Sequence, residues 1–234
     1  MNDLIGGFRE AGFLLVSLDR DLLTITLRSL YVSLTAVVIA SCIGIPIGAW
    51  LALTRLAGRR YVIAGVNGLM GLPPVVVGLL VYILFSRAGP LGVLGLLYTP
   101  TVMIIAQMII ATPLIISISH QGIREIWDDY RDLLLSLNAT KWQRMGTLIR
   151  DGRYALLIAS LAGFGRAIGE VGAIMIVGGN IDQATRVLTT AIALETSKGN
   201  FAFALGLGFI LIILAVAVNM VIHGLVRTER TALW

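Results

Sequence analysis

Charge is scarce in this chain: Asp, Glu, Lys and Arg together make up 13% of its 234 residues, against 57% hydrophobic residues. With a mean hydropathy of +0.91, that balance excludes an ordinary soluble domain and predicts an all-α integral membrane protein. Cysteine is almost absent. The single Cys42 lies inside an apolar run, which excludes an intrachain disulfide and leaves no redox pair. Histidine occurs twice, as His120 and His223, near the ends of separate apolar runs. Neither belongs to an H-E-x-x-H motif, no G-x-S-x-G occurs, and both read as membrane-boundary residues, so no catalytic or metal site is expected. The chain also has no G-x-x-x-x-G-K-[ST] loop, which removes the P-loop route to nucleotide phosphates. The net charge of +5 does not point to nucleic acid, because the bases cluster between apolar runs instead of forming one basic face.

Apolar runs are what the chain has in quantity. Crossing about 30 Å of hydrocarbon takes roughly 20 apolar residues, and five runs qualify: Leu30 to Leu53, Tyr61 to Phe85, Thr99 to Ser119, Tyr154 to Val177 and Phe201 to Val226. Arg55, Arg59 and Arg60 follow the first, six bases from Arg124 to Arg153 fill the third connection, and Arg227 and Arg230 follow the last. The positive-inside rule then puts the N-terminus outside and the C-terminus in the cytoplasm. Residues 1–28 read as an outer interfacial segment without a cleavable signal, 29–226 as one membrane domain with a cytoplasmic loop at 121–153, and 227–234 as a cytoplasmic tail.

Three stretches stand out against this background. "NGLMGLPPVVVGLLVYILF" places Pro73, Pro74 and Gly78 in the second run, where paired prolines predict a kink near Leu72. It reads as a kinked packing helix or as a helix bent beside a path. "GFGRAIGEVGAIMIVGGN" places Arg166 and Glu170 four residues apart in sequence otherwise fit for lipid, with Gly179 and Asn180 at its end. On one helix the two charges share a face and can pair. Such residues face protein or a water-filled path, and a structural or gating salt bridge, linking this helix to a second copy of the chain or to the second span, reads better than direct anion binding, because Glu170 repels an anion. Between Gln121 and Arg153 lies a polar connection in which Leu133, Leu134 and Leu137 fall at helical spacing, with Trp142 beyond. Asp128, Asp129 and Asp132 precede them, as acids favoured near a helix N-terminus do. Asn138 is a candidate cap, and a second helix is expected from about Thr140. The resulting helix-turn-helix either packs on its own bundle or docks a soluble partner.

Taken together, "LPPVVVGLLVYILFSRAGPLG" (72–92), "GFGRAIGEVGAIMIVGGNI" (163–181) and "TRVLTTAIALETSKGN" (185–200) resemble the permease subunits of oxyanion ABC importers. The group moves molybdate, tungstate and sulfate, and these stretches are most similar to its tungstate-type branch. The coupling loop departs from the group's common pattern: Asp132, Leu133 and Leu134 stand where Glu-Ala-Ala is usual, Asn138 replaces a Gly, and Arg150-Asp151 replaces Leu-Pro. The resemblance implies five transmembrane helices of the type I importer kind with a cytoplasmic coupling helix-turn-helix. Asp132, Leu133, Leu134, Leu137, Asn138, Ala139 and Trp142 would then meet the ATPase. Pro73, Pro74, Gly78, Arg166, Glu170, Gly179 and Asn180 would belong to the pathway, its gate or its packing. It also implies a second copy of the chain, two ATPase subunits that carry the ATP and Mg, and an extracytoplasmic oxyanion-binding protein in a bacterial or archaeal membrane. The chain itself would bind no cofactor. Molybdate or sulfate import is the alternative cargo. A secondary transporter, which would place titratable residues in several spans, is the alternative class.

Overall fold

The computed structural model describes residues 20–54 and 57–232, and every regular element among them is helical. In chain order these are α1 (Arg20–Leu53), α2 (Arg59–Met70), α3 (Pro74–Phe85), a short 3-10 turn (Gly92–Leu94) and α4 (Pro100–Ser136). There follow α5 (Lys141–Asp151), α6 (Arg153–Ile168), α7 (Gly172–Gly178), α8 (Leu188–Ser197) and α9 (Phe201–Ala232). By length and composition α1, α4 and α9 (over Phe201–Val218) can each cross a membrane. The pairs α2 with α3 and α6 with α7 are bent by 92° and 63°, and bring the number of spans to five when each pair counts as one. The five expected spans are therefore met with two of them broken.

The frame is set by α1 and α4, which run parallel and touch along most of their length. Val32 and Ala36 pack with Val102, Met103 and Ala106 at one end, and Ala49 and Ala52 pack with Ile123 and Trp127 at the other. Small residues one turn apart make this approach possible. A methyl group on Gly44 would lie 3.0 Å from Ile115 Cγ2, and one on Gly48 would lie 2.8 Å from the Ile116 carbonyl oxygen. Residues Val37, Ala40, Ala111, Ile115, Ala159 and Phe164 continue the seam at mid-length and bring in α6. In a membrane such van der Waals fit replaces the hydrophobic effect as the force that holds helices together.

Two expectations are corrected at this level. The boundary at residue 28 has no counterpart, because Arg20 to Arg28 are the first turns of α1, which runs unbroken to Leu53. Residues 1–19 of the expected interfacial segment lie outside the described residues. The polar connection does not open with a separate helix either. Helix α4 extends 37 residues from Pro100 to Ser136, about 55 Å at 1.5 Å per residue. The acids Asp128, Asp129 and Asp132 therefore sit in its last third, and the argument from a helix N-terminus fails.

The seam makes a testable demand. Gly48→Val drives a side chain into the α4 backbone and should cost about 1–3 kcal/mol. It should lower the thermal midpoint of the detergent-solubilised protein by several degrees. Gly146→Ala, where a methyl group meets open space inside α5, should leave the midpoint at or above that of wild type.

Candidate functional site

The turn between α4 and α5 is fixed by its own hydrogen bonds. Ala139 N–H donates to the Leu134 carbonyl at 3.2 Å and Asn138 N–H to the Leu135 carbonyl at 3.0 Å, the paired pattern of a Schellman stop. Asn138 sits in the left-handed region at φ 50°, as its candidacy for the cap required. Thr140 then starts α5 with a reciprocal capping box. Gln143 N–H donates to Thr140 Oγ1 at 3.4 Å, and Thr140 N–H donates to Gln143 Oε1 at 2.8 Å. Arg144 Nε closes the corner on the Ala139 carbonyl at 2.7 Å.

Burial divides the leucines that sequence spacing had grouped. Leu134 is buried with Trp127, Ile123, Leu148 and Leu156 and anchors the turn to the bundle, which removes it from any docking face. Leu133, Leu137 and Trp142 are 55%, 68% and 77% exposed. Asp132 and Asn138 are also exposed, and Ala139 is half-buried. A rigid corner thus holds three large apolar side chains in the open.

At the α2–α3 junction, Gly71 and Leu72 end one helix, and Pro73 caps the next with Pro74 as its first residue. Two consecutive residues without an N–H interrupt the helix ladder. The isolated Pro46 and Pro113 sit within α1 and α4. Gly78 lets α3 lie directly on α7, since a methyl group there would come 2.6 Å from Ala173 Cα.

The Arg166–Glu170 pair is not formed within one chain. Helix α6 stops at Ile168 with Gly169 as its cap, so the two charges are not on one helix, and no ion pair joins them. The break is instead closed by other partners. Gln107 Nε2 donates to the Ala167 carbonyl at 2.9 Å, Thr189 Oγ1 donates to the Glu170 carbonyl at 2.8 Å, and the Ala173 N–H donates to Glu170 Oε1 at 3.2 Å. The Ala167 carbonyl also accepts from the Glu170 N–H at 3.2 Å, and the other two bonds pair backbone groups that the end of the helix leaves free at membrane depth. Arg166 is exposed in the single chain. It lines a cavity of about 70 Å3 at the α2–α3 break with Leu69, Met70, Leu72, Val77 and Pro113. Gly179 at φ 68° and Asn180 at φ 50° end α7, with Gly179 against the Tyr98 ring.

Several contacts had little signal in the sequence. Ser117 Oγ donates to Asn67 Oδ1 at 2.9 Å, and Arg59 Nη2 donates to His120 Nε2 at 2.7 Å. These two bonds tie α2 to α4. Gln107 was visible only as a lone amide in an apolar run. At the end of the bundle away from the α4–α5 turn, a cleft of about 210 Å3 is lined by Asp21, Arg28, Asp182, Arg186, Glu195 and Asn200, among others. Glu195 is buried there, accepting from Lys198 Nζ and Asn200 Nδ2 at 2.9 Å each. Those bonds, that from Lys198 first, hold its carboxyl below the usual carboxylate range against the opposing effect of burial.

Residues 44–228 match the family of binding-protein-dependent transport system inner membrane components. The chain belongs to that family, and it is a multi-pass membrane protein. It is similar to the tungstate uptake system permease protein TupB of Peptoclostridium acidaminophilum, at 41% identity covering 96% of this chain and 99% of that one. It is 36% identical to the protein of the same name from Campylobacter jejuni, covering 96% and 94%. It is 41% identical to a probable anion ABC transporter permease protein of Haloferax volcanii, covering 85% and 88%. Permeases named for molybdenum and sulfate transport match at lower identity, 28% and 27%.

Two predictions test this geometry. Asn138→Val forces a β-branched residue into the left-handed region and should destabilise the solubilised protein by about 1–2 kcal/mol, whereas Asn138→Gly should melt at or above the wild-type midpoint. The Glu195 carboxyl has a lowered pKa in the fold, so its stabilisation is present above the usual carboxylate range and is lost as pH falls through the lowered value. Glu195→Gln should therefore melt below wild type at pH 7, and the gap should close at low pH.

Proposed function

We propose that this chain is the membrane-spanning subunit of an ATP-driven importer that carries a tetrahedral oxyanion, tungstate, into the cytoplasm. The observation that carries the reading is the near full-length similarity to two permeases named for tungstate uptake, at 41% and 36% identity. The lower identity of the molybdenum and sulfate permeases favours tungstate over those cargoes. The chain works as a pair. Helix α2 buries none of its residues within one chain and presents Tyr61, Val62 and Leu69 outward, which supports a second copy against it.

In this reading the N-terminus lies outside, the α4–α5 turn faces the cytoplasm, and two ATPase subunits bind there and supply ATP and Mg. Each receives Leu133, Leu137 and Trp142 in an apolar groove, the mode in which a helical corner docks by a few anchors. An extracytoplasmic binding protein delivers the anion to the opposite face, near residues 87–100 and 180–200. ATP binding draws the two turns together. The conformational change needs no nucleotide contact from this chain, only that the ATPases hold the two states with different free energy.

The test begins with a tag on the C-terminus, gentle solubilisation of native membranes and mass spectrometry of what co-purifies. A stoichiometric P-loop ATPase, with tungstate uptake into vesicles dependent on ATP, is expected. Leu137→Asp should abolish both co-purification and uptake while leaving the thermal midpoint within a few degrees of wild type. A chain that purifies without an ATPase and accumulates anion on an ion gradient would be a secondary transporter instead.

A further inference from the structure

Arg166 is left over once the helix break is accounted for. The Glu170 carboxylate is turned back on the Ala173 N–H, and no ion pair to Arg166 occurs among the described residues. The remaining residues lining the cavity beside Arg166 are apolar. Ile109 and Pro113, on its α4 wall, lie about 14–20 Å along the helix from Pro100. That is close to the middle of a span of about 30 Å. A cation there costs at least about 3 kcal/mol if it faces lipid, so it faces water, an anion or the second copy of the chain. There is room around it: methyl groups built on Gly165, one residue before it, and Gly68, on α2, meet nothing within 4 Å, and one on Gly169 meets only a carbonyl of its own helix at 3.6 Å.

We propose that Arg166 is the residue that compensates the charge of the oxyanion as it crosses the middle of the membrane, one from each of two copies facing a single dianion. The proposal rests on the oxyanion-importer reading above. The two copies bring two positive charges to an ion with two negative ones. A guanidinium presents paired donors that match two oxygens of a tetrahedral oxyanion. Its apolar neighbours add no further donors, so the contact offsets the loss of hydration without holding the ion, and transport needs that balance of entry and release. Arg166 acts here as a transit contact and Glu170 as the cap of the break.

The test uses the full assembly in proteoliposomes with a loaded binding protein. Arg166→Gln should lower the initial rate of ATP-driven tungstate uptake about tenfold or more, and Arg166→Lys, which keeps the charge without the paired donors, should fall between Arg166→Gln and wild type. In a Cys42→Ser background, Arg166→Cys should regain uptake with aminoethyl methanethiosulfonate, which restores a positive charge, and not with the negatively charged sulfonatoethyl reagent. Uptake by Arg166→Gln equal to wild type overturns the proposal. So does recovery of uptake in an Arg166→Glu, Glu170→Arg exchange, which would mean that the two residues pair across the copies. If the wild-type assembly moves no oxyanion, the importer reading fails. Labelling of Arg166→Cys in native membranes decides separately whether the position faces an aqueous path, and a thiol that neither reagent reaches overturns the transit role.

Discussion

In hydrocarbon a backbone polar group without a partner costs several kcal/mol, and the whole arrangement answers to that constraint. Five spans of continuous helix would satisfy it without help. This chain breaks two of them, and each break must be closed by something. At α6–α7 the closure is explicit: Gln107 from α4 takes the Ala167 carbonyl, Thr189 takes the Glu170 carbonyl, and Glu170 itself takes the Ala173 N–H. Gln107 is brought to the break by α4, which is held against α1 along the Gly44–Gly48 seam. Loosening the seam would withdraw Gln107 from the Ala167 carbonyl.

The same helix that supplies Gln107 to the break carries the exposed corner at its far end. Leu137, the cap of α4, stands 30 positions after Gln107, about 45 Å along the helix. Near the middle of that length Ser117 and His120 bond α2. The corner cannot flex independently, because Leu134 is packed into the bundle and both helix ends at the turn are capped. A push on Leu137 or Trp142 is therefore delivered to α4 as a body, and through it to both breaks.

What the sequence made legible follows from which signals are local. Paired Pro73 and Pro74 mark a break by removing two donors. The Asn138 turn and the Thr140 cap were readable because left-handed backbone and capping boxes have strong residue preferences. The α6–α7 break was not readable, since spacing of four between Arg166 and Glu170 looks the same whether or not the helix continues. The continuity of α4 was hidden by the acids at 128–132, which resemble a helix start when composition alone is considered. Leu133, Leu134 and Leu137 lie within about 100° of arc on a helix, so periodicity grouped them. Only the position of Trp127, Leu148 and Leu156 shows that Leu134 turns inward.

The central claim is that the exposed corner and the mid-membrane breaks move as one unit. Pairs of spin labels across two copies, one pair at Gly146 on α5 and one at Gly68 at the end of α2, test it directly, since a side chain at either position meets open space within one chain. In the proposed assembly of two copies with two ATPases, trapping the ATPases with a non-hydrolysable nucleotide should shift both distance distributions together, and release of nucleotide should return both. A shift at Gly146 with no change at Gly68 would contradict the account.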